Sequence, residues 1–353
     1  MLLHFATWEK GGSNVTTIPS SIFGLNSARS VPEELHERAL KVRNQVFGQK
    51  VFVRGVLEVS NFCRENCSYC GMRRDNRQLE RYRLSLDSLK DLIREGIPEI
   101  ITDLNIQTGE DPVGVREVVL PLVEFLRKET NLGISICLGT LDSKIYDELK
   151  QAGASYYIIK LETGNRDHYK EVHAPGTFNE RLEAIQYLAR TGWAVSSGFI
   201  LGLPGQTEEY IEQSLELLGE LPLAGASVSP FIAGEQTPFD GKPTGDIEAT
   251  INCIARMRLR NPSYIIPAVS ALNLVSDDGY LRALKAGANL ATINLTPTSN
   301  RPDYLLYKRD RYIMNENRVR KAIEDAHCTP SSQSIAQMWP RFQNGTTFEQ
   351  SAA

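Results

Sequence analysis

Three cysteines, Cys63, Cys67 and Cys70, stand within eight residues in the stretch NFCRENCSYCGMRRDN, residues 61–76. A structural zinc site normally takes four ligands and a disulfide framework an even number of cysteines, so three thiols point elsewhere. Three thiolates can hold three irons of a 4Fe-4S cube and leave the fourth iron without a protein ligand, which makes that iron a binding site. The alternatives are a zinc site completed from a distance and a set of idle thiols. The histidines, at positions 4, 36, 168, 173 and 327, are all remote in sequence from the cysteines.

The elements that must position these thiols follow a rhythm. Short runs rich in β-branched residues fall at 51–60, 99–109, 133–139, 155–162, 194–202, 225–232, 264–269 and 289–295. Helical patterns lie between them, among them SLDSLKDLIREG, DSKIYDELKQAG, FNERLEAIQYLARTG and TEEYIEQSLELLGEL. Several end in the glycine that stops a helix. Eight strand-helix units over about 240 residues predict an α/β fold, a (β/α)8 TIM-type barrel. A doubly wound open sheet is the runner-up, but it normally carries a glycine-rich turn after its first strand, where this chain has the cysteines. The expected division is an N-terminal extension (1–49), with an irregular lead-in over 1–30 and a helix over 32–48. The barrel follows (50–310), then a C-terminal helix and polar tail (311–353), frayed from residue 340. The cysteines then fall just after the first strand, at the end where barrel enzymes keep their chemistry.

The 353 residues are 41% hydrophobic with a formal charge of −4 and a pI near 5.9, which gives no electrostatic footprint for nucleic acid or an anionic membrane. MLLHFATWEK makes a poor signal peptide, and no apolar run is long enough to span a membrane. Six cysteines, three of them crowded together, fit a reducing cytoplasm.

With C-x3-C-x2-C after the first strand of a barrel, and Tyr69 before the third cysteine, the chain resembles the radical S-adenosylmethionine (SAM) superfamily. CGMRRDN, RYRLS, QTGEDP, LETGN, FNERL, GFILGLPGQT, SPFIAGEQTP and AGANLATINLTP follow in the order of one branch. That branch contains biotin synthase, methylornithine synthase and the FeFe-hydrogenase maturase HydE, and the chain is most similar to HydE. The resemblance implies one 4Fe-4S cluster on Cys63, Cys67 and Cys70, with SAM chelating the open iron. One electron, from a donor such as flavodoxin or ferredoxin, cleaves SAM to a 5′-deoxyadenosyl radical that attacks a small-molecule or small metal-complex substrate deeper in the barrel.

The resemblance also assigns SAM contacts. Thr108, Gly109 and Glu110 of QTGEDP face its amino group, Glu162 its amino or ribose groups, and Arg181 its carboxylate. The turns holding Leu203 and Phe231 line its adenine and methionine parts. Each has a plainer reading: Asp111 and Pro112 start a helix, Glu162 and Arg181 pair with each other or with surface charges, Thr207 caps a helix, and RRDNRQLERYR is a solvated, salt-bridged face. Of the other cysteines, Cys137 and Cys253 are expected to serve packing. In the fifth run Ser196 stands where biotin synthase resemblance asks for a ligand to a second cluster. Side chains two apart in a strand share a face, so if Glu162 faces the barrel mouth, Lys160 lies one layer deeper. A buried ammonium needs a partner: either a carboxylate such as Asp103, or a substrate carboxylate, at a position where HydE resemblance implies an arginine.

Overall fold

The computed structural model describes residues 31–343. The expected lead-in over 1–30 and the last ten residues of the expected tail lie outside the described residues. The expected fraying from 340 is corrected at its start, because 340–343 complete the helix Ile335–Gln343.

Seven parallel strands run β1 (Lys50–Ser60), β2 (Asp103–Thr108), β3 (Gly133–Cys137), β4 (Tyr156–Ile158), β5 (Ala194–Leu201), β6 (Gly225–Pro230) and β7 (Leu290–Asn294), in the order β6-β5-β4-β3-β2-β1-β7. The expected strand at 264–269 is reduced to two isolated bridges, Ile265 to Gly225 of β6 and Pro267 to Leu290 of β7. Proline has no N–H to donate, so Pro267 interrupts the ladder there. The two bridges still close the (β/α)8 barrel between β6 and β7. A short β8 (Thr329–Pro330) extends the sheet beside the start of β1.

The helices begin and end where local chemistry dictates. Ser85, Asp142, Thr177 and Thr207 each cap the helix that follows, and Thr177 with Glu180 makes a full capping box. Gly96 and Gly153 stop two helices at positive φ. The expected helix over 32–48 is Val31–Phe47, packed on the helix Ile247–Arg260.

The main apolar cluster joins outward-facing strand residues such as Leu57, Leu104, Ile134, Tyr157 and Val195 to helix residues such as Leu89, Leu122, Leu149, Ile185 and Leu218. A second cluster closes the barrel floor, where Phe52, Tyr156, Ala194 and Leu290 meet Ile335 and Met338 of the last helix. Asp103 tethers that helix: both carboxylate oxygens accept the Ile335 N–H at 3.1 Å, and one accepts the Thr102 hydroxyl at 2.9 Å. Burial pushes the Asp103 carboxyl up to about 6. Above the floor the axis is polar. Arg54, Val56 and Glu58 of β1 stand in register with Asp103, Asn105 and Gln107 of β2, where most barrels of this class stack branched apolar side chains.

Candidate active site

β1 ends at Ser60 and the chain turns out into the cysteine loop. Asn61 anchors the turn: its amide donates to the carbonyls of Glu80 and Asp303, both at 2.7 Å, and its carbonyl accepts the Tyr82 N–H at 2.8 Å. Arg81 reaches under the loop and donates to the carbonyls of Met72 (2.9 Å), Arg73 (2.7 Å) and Asn76 (3.3 Å), as well as to Asn61 O. Arg83 makes a two-pronged pair with Asp111, at 2.6 and 2.9 Å, and lies over the Phe62 ring. Arg81 and Arg83 therefore overturn the expectation of a solvated face, which holds for the exposed Arg74–Asp75 pair. Asp111 and Pro112 do start a helical turn, but the Asp111 side chain serves Arg83 and Ser60 instead of capping it.

Cys63, Cys67 and Cys70 are free thiols on the wall of one cavity of about 360 Å3 at the barrel mouth. Burial pushes all three thiols up, Cys70 to about 12, and each also feels at least one neighbouring thiol or carboxylate. A cation arriving there has to displace protons. No histidine lines this cavity, and among the described residues no three His, Cys, Asp or Glu side chains enclose a single metal ion. A cube suits such a donor set, because its three thiolates bind three separate irons.

Gly109 brings β2 against the loop. A Cβ there would lie 2.2 Å from the Phe62 carbonyl oxygen and 2.8 Å from Cys63 Cβ, so the close approach is to the cysteine loop itself. The next residue's N–H, that of Glu110, donates to Cys63 Sγ at 3.3 Å. Gly109→Ala is expected to push the loop outward, cost about 1–3 kcal/mol of stability and lower iron uptake severalfold; a thermal melt and an iron assay on the reconstituted protein check both.

The Glu110 carboxylate is buried and fully engaged. It accepts from Arg181 Nη2 at 2.6 Å, the Thr140 N–H at 3.2 Å and Arg64 Nη2 at 3.2 Å. Arg181 thus pairs with Glu110 and not with Glu162. Only 3% exposed, it leaves its Nε without a partner on the cavity wall. Burial lowers and Glu110 raises its affinity for a proton, and the net effect is upward.

Glu162 lies beyond the observed end of β4, which stops at Ile158, and holds a left-handed φ of 67° while its N–H bonds Gly198 O at 3.0 Å. A non-glycine residue held there is strained, as residues at functional sites often are. Burial pushes its carboxyl up, against the opposing pull of Lys160 and Arg181. Strand alternation still carries through residues 159–162: Ile159 and Leu161 join the outer apolar cluster, their N–H groups bond Ser196 O (2.9 Å) and Gly198 O (3.0 Å), and Lys160 and Glu162 both reach the cavity. Asp103 does not neutralise Lys160, since its oxygens are taken by Ile335 and Thr102. Among the described residues no carboxylate or hydrogen-bond acceptor meets the Lys160 ammonium.

Tyr69, Thr108 and Phe231 stand on the same wall, and Leu203 does not. Leu203 is buried in the core because its turn folds back on β5, where Gln206 bonds Gly202 N and Ile200 O. Thr207 caps the next helix, as its plainer reading had it. Buried His168 fastens the turn from below, linking Thr163 Oγ1 (3.1 Å) to the Pro204 carbonyl (3.0 Å); nothing in its local sequence marked it. Cys253 is buried packing, but Cys137 sits on the cavity wall, in register with Gln107 of the axis.

Comparison with known proteins bears on this geometry. Residues 57–218 match the family model described as the Radical SAM superfamily. The [FeFe] hydrogenase maturase subunit HydE of Thermotoga maritima is 32% identical over 79% of this chain and 80% of its own length. The chain belongs to the radical SAM superfamily. The 3-methylornithine synthase of Methanosarcina barkeri is 29% identical over 79% of both chains. The crystal structure of methylornithine synthase (PylB) superposes with a TM-score of 0.79 at 25% identity, over 92% of this chain and 95% of that one. This radical SAM enzyme accordingly uses a 4Fe-4S cluster and S-adenosylmethionine, and the cavity's three thiols and orphaned guanidinium nitrogen fit both. No described helix is long and apolar enough to cross a membrane.

Proposed function

We propose that this radical SAM enzyme acts on a small substrate inside the barrel in the manner of HydE, within the cytoplasm, with residues 50–310 as the catalytic unit between flanking segments 1–49 and 311–353. Cys63, Cys67 and Cys70 hold the cluster. Tyr69, Thr108, Gly109, Glu162, Arg181 and Phe231 surround SAM, and Glu110 holds Arg181 in place for its carboxylate. The bound cofactors supply a carbon-centred radical when an electron arrives from a carrier such as flavodoxin or ferredoxin. The protein's own part is to orient SAM and keep water from the deeper barrel. The observation that carries this reading is the single cavity joining the three thiols, the strained Glu162, the partly orphaned Arg181 and the unpaired Lys160.

Lys160 is the substrate anchor in this reading, taking a substrate carboxylate as a point charge. Anaerobic reconstitution followed by dithionite and SAM is expected to yield 5′-deoxyadenosine; a stable cluster without cleavage would make the chain a sensor or scaffold instead. Lys160→Ala is expected to keep the cluster and uncoupled SAM cleavage and to lose substrate-dependent product, measured by mass spectrometry. Wild-type yield in that variant would rule out the lysine. The close superposition on methylornithine synthase favours a second reading, an amino acid or similar organic substrate in place of a cysteine-ligated iron complex. Supplying each class to the reconstituted enzyme separates the two.

A further inference from the structure

Gln107, Val269, Ser270, Leu306 and Tyr307 line the cofactor cavity on one side and a second cavity, of about 150 Å3, on the other. This lower chamber lies along the polar axis toward the floor and has room for about five waters, or for a short acid group with a few carbons. Arg54 projects into it from β1. Its Nε donates to Thr292 Oγ1 at 3.1 Å, and among the described residues its two terminal nitrogens have no partner. The acids nearby are already committed. Glu58 is held by both prongs of Arg311, and Asp103 by Ile335 and Thr102.

The side-chain amide carbonyls of the chamber are committed as well. The side-chain carbonyls of Asn105, Gln107 and Asn294 accept from Ser135 Oγ (3.2 Å), Asn105 Nδ2 (3.3 Å) and Thr296 N (2.9 Å) respectively. Donors beside Arg54 are left free. Tyr280 accepts the Thr292 N–H at 3.0 Å through its hydroxyl oxygen and keeps its own proton to give, and Asn294 keeps its amide N–H groups. Asp103 acts on Arg54 through space without pairing with it, and a buried guanidinium with no contact partner and free donors beside it is matched by an acceptor-only anion.

We propose that the lower chamber binds a second carboxylate, at the far end of the substrate, with Arg54 as its counter-ion. The proposal rests on the reading that the substrate lies within the barrel, and it adds a second, deeper anchor below Lys160.

The test uses the full cluster-free chain and acetate as the probe, with ionic strength held constant by chloride and acetamide as the neutral counterpart. Acetate is expected to raise the melting temperature of the wild type saturably and acetamide to leave it unchanged. Arg54→Met is expected to weaken the acetate effect at least tenfold, and Arg54→Lys to keep part of it. An equal response to acetamide, or an undiminished acetate response in Arg54→Met, would overturn the proposal; should the Met variant not fold, the acetate and acetamide comparison in the wild type decides alone. Because the melt needs neither cluster nor SAM, failure of the radical reading shows in the 5′-deoxyadenosine assay and leaves the acetate result standing.

Discussion

Replacing any one of Cys63, Cys67 and Cys70 by Ala is expected to abolish the brown 4Fe-4S chromophore and all SAM cleavage. Two thiolates hold a cube poorly, and the loop around them is fastened through main-chain carbonyls by Arg81 and Asn61, so no neighbouring side chain swings in as a substitute. Cys137→Ala, Cys253→Ala and Cys328→Ala are expected to keep chromophore and cleavage, including Cys137, although it shares the cavity wall. Iron analysis of the wild type should give about four atoms per chain. A value near eight that falls when the outlying cysteines are removed would reveal a second cluster.

The second large effect lies at the buried Glu110–Arg181 pair, whose side chains are 8% and 4% exposed. Glu110→Ala strands the Arg181 guanidinium and is expected to cost about 3–5 kcal/mol of stability, the scale for breaking a buried pair by removing one partner. Denaturant unfolding measures it. Glu162→Ala is expected to weaken SAM binding by about 1–3 kcal/mol through the loss of one charge-assisted contact. Because Ala keeps a Cβ, the strain at the positive φ stays and the fold should change little. Arg181→Ala should weaken SAM binding on the same scale, and calorimetric titration of the reconstituted protein follows both. SAM affinity unchanged in both variants would make Glu162 and Arg181 structural residues.

The sequence was most legible where period and chemistry agree. Seven of the eight strand positions, the capped helices and the cysteine loop follow from β-branched runs, Ser, Thr and Asp caps and the C-x3-C-x2-C spacing. The run at 264–269 reads as a strand because YIIPAV is apolar, but Pro267 leaves it two bridges. Residues 159–162 read as the end of a strand because IIKLE alternates, whereas Glu162 takes a positive φ that no local pattern announces. Arg81 and Arg83 sit in a run that looks solvated, and their targets are the loop carbonyls and Asp111, which lie beyond any sequence window. His168 and Arg54 were hidden for the same reason: a buried polar residue declares itself through partners that only the fold assembles.

The polar axis has a mechanical corollary. A barrel usually draws cohesion from its centre and from the ring where strands meet helices, but here the centre holds Arg54, Glu58, Asn105 and Gln107, and the ring carries the apolar mass. Cohesion and reactivity are thereby assigned to separate concentric zones. Substitutions along the axis that leave the buried Glu58–Arg311 pair intact can retune what the barrel accepts with little loss of folding energy, whereas a truncation of equal size in the ring, at Leu122 or Ile185, falls on the part that keeps the molecule together.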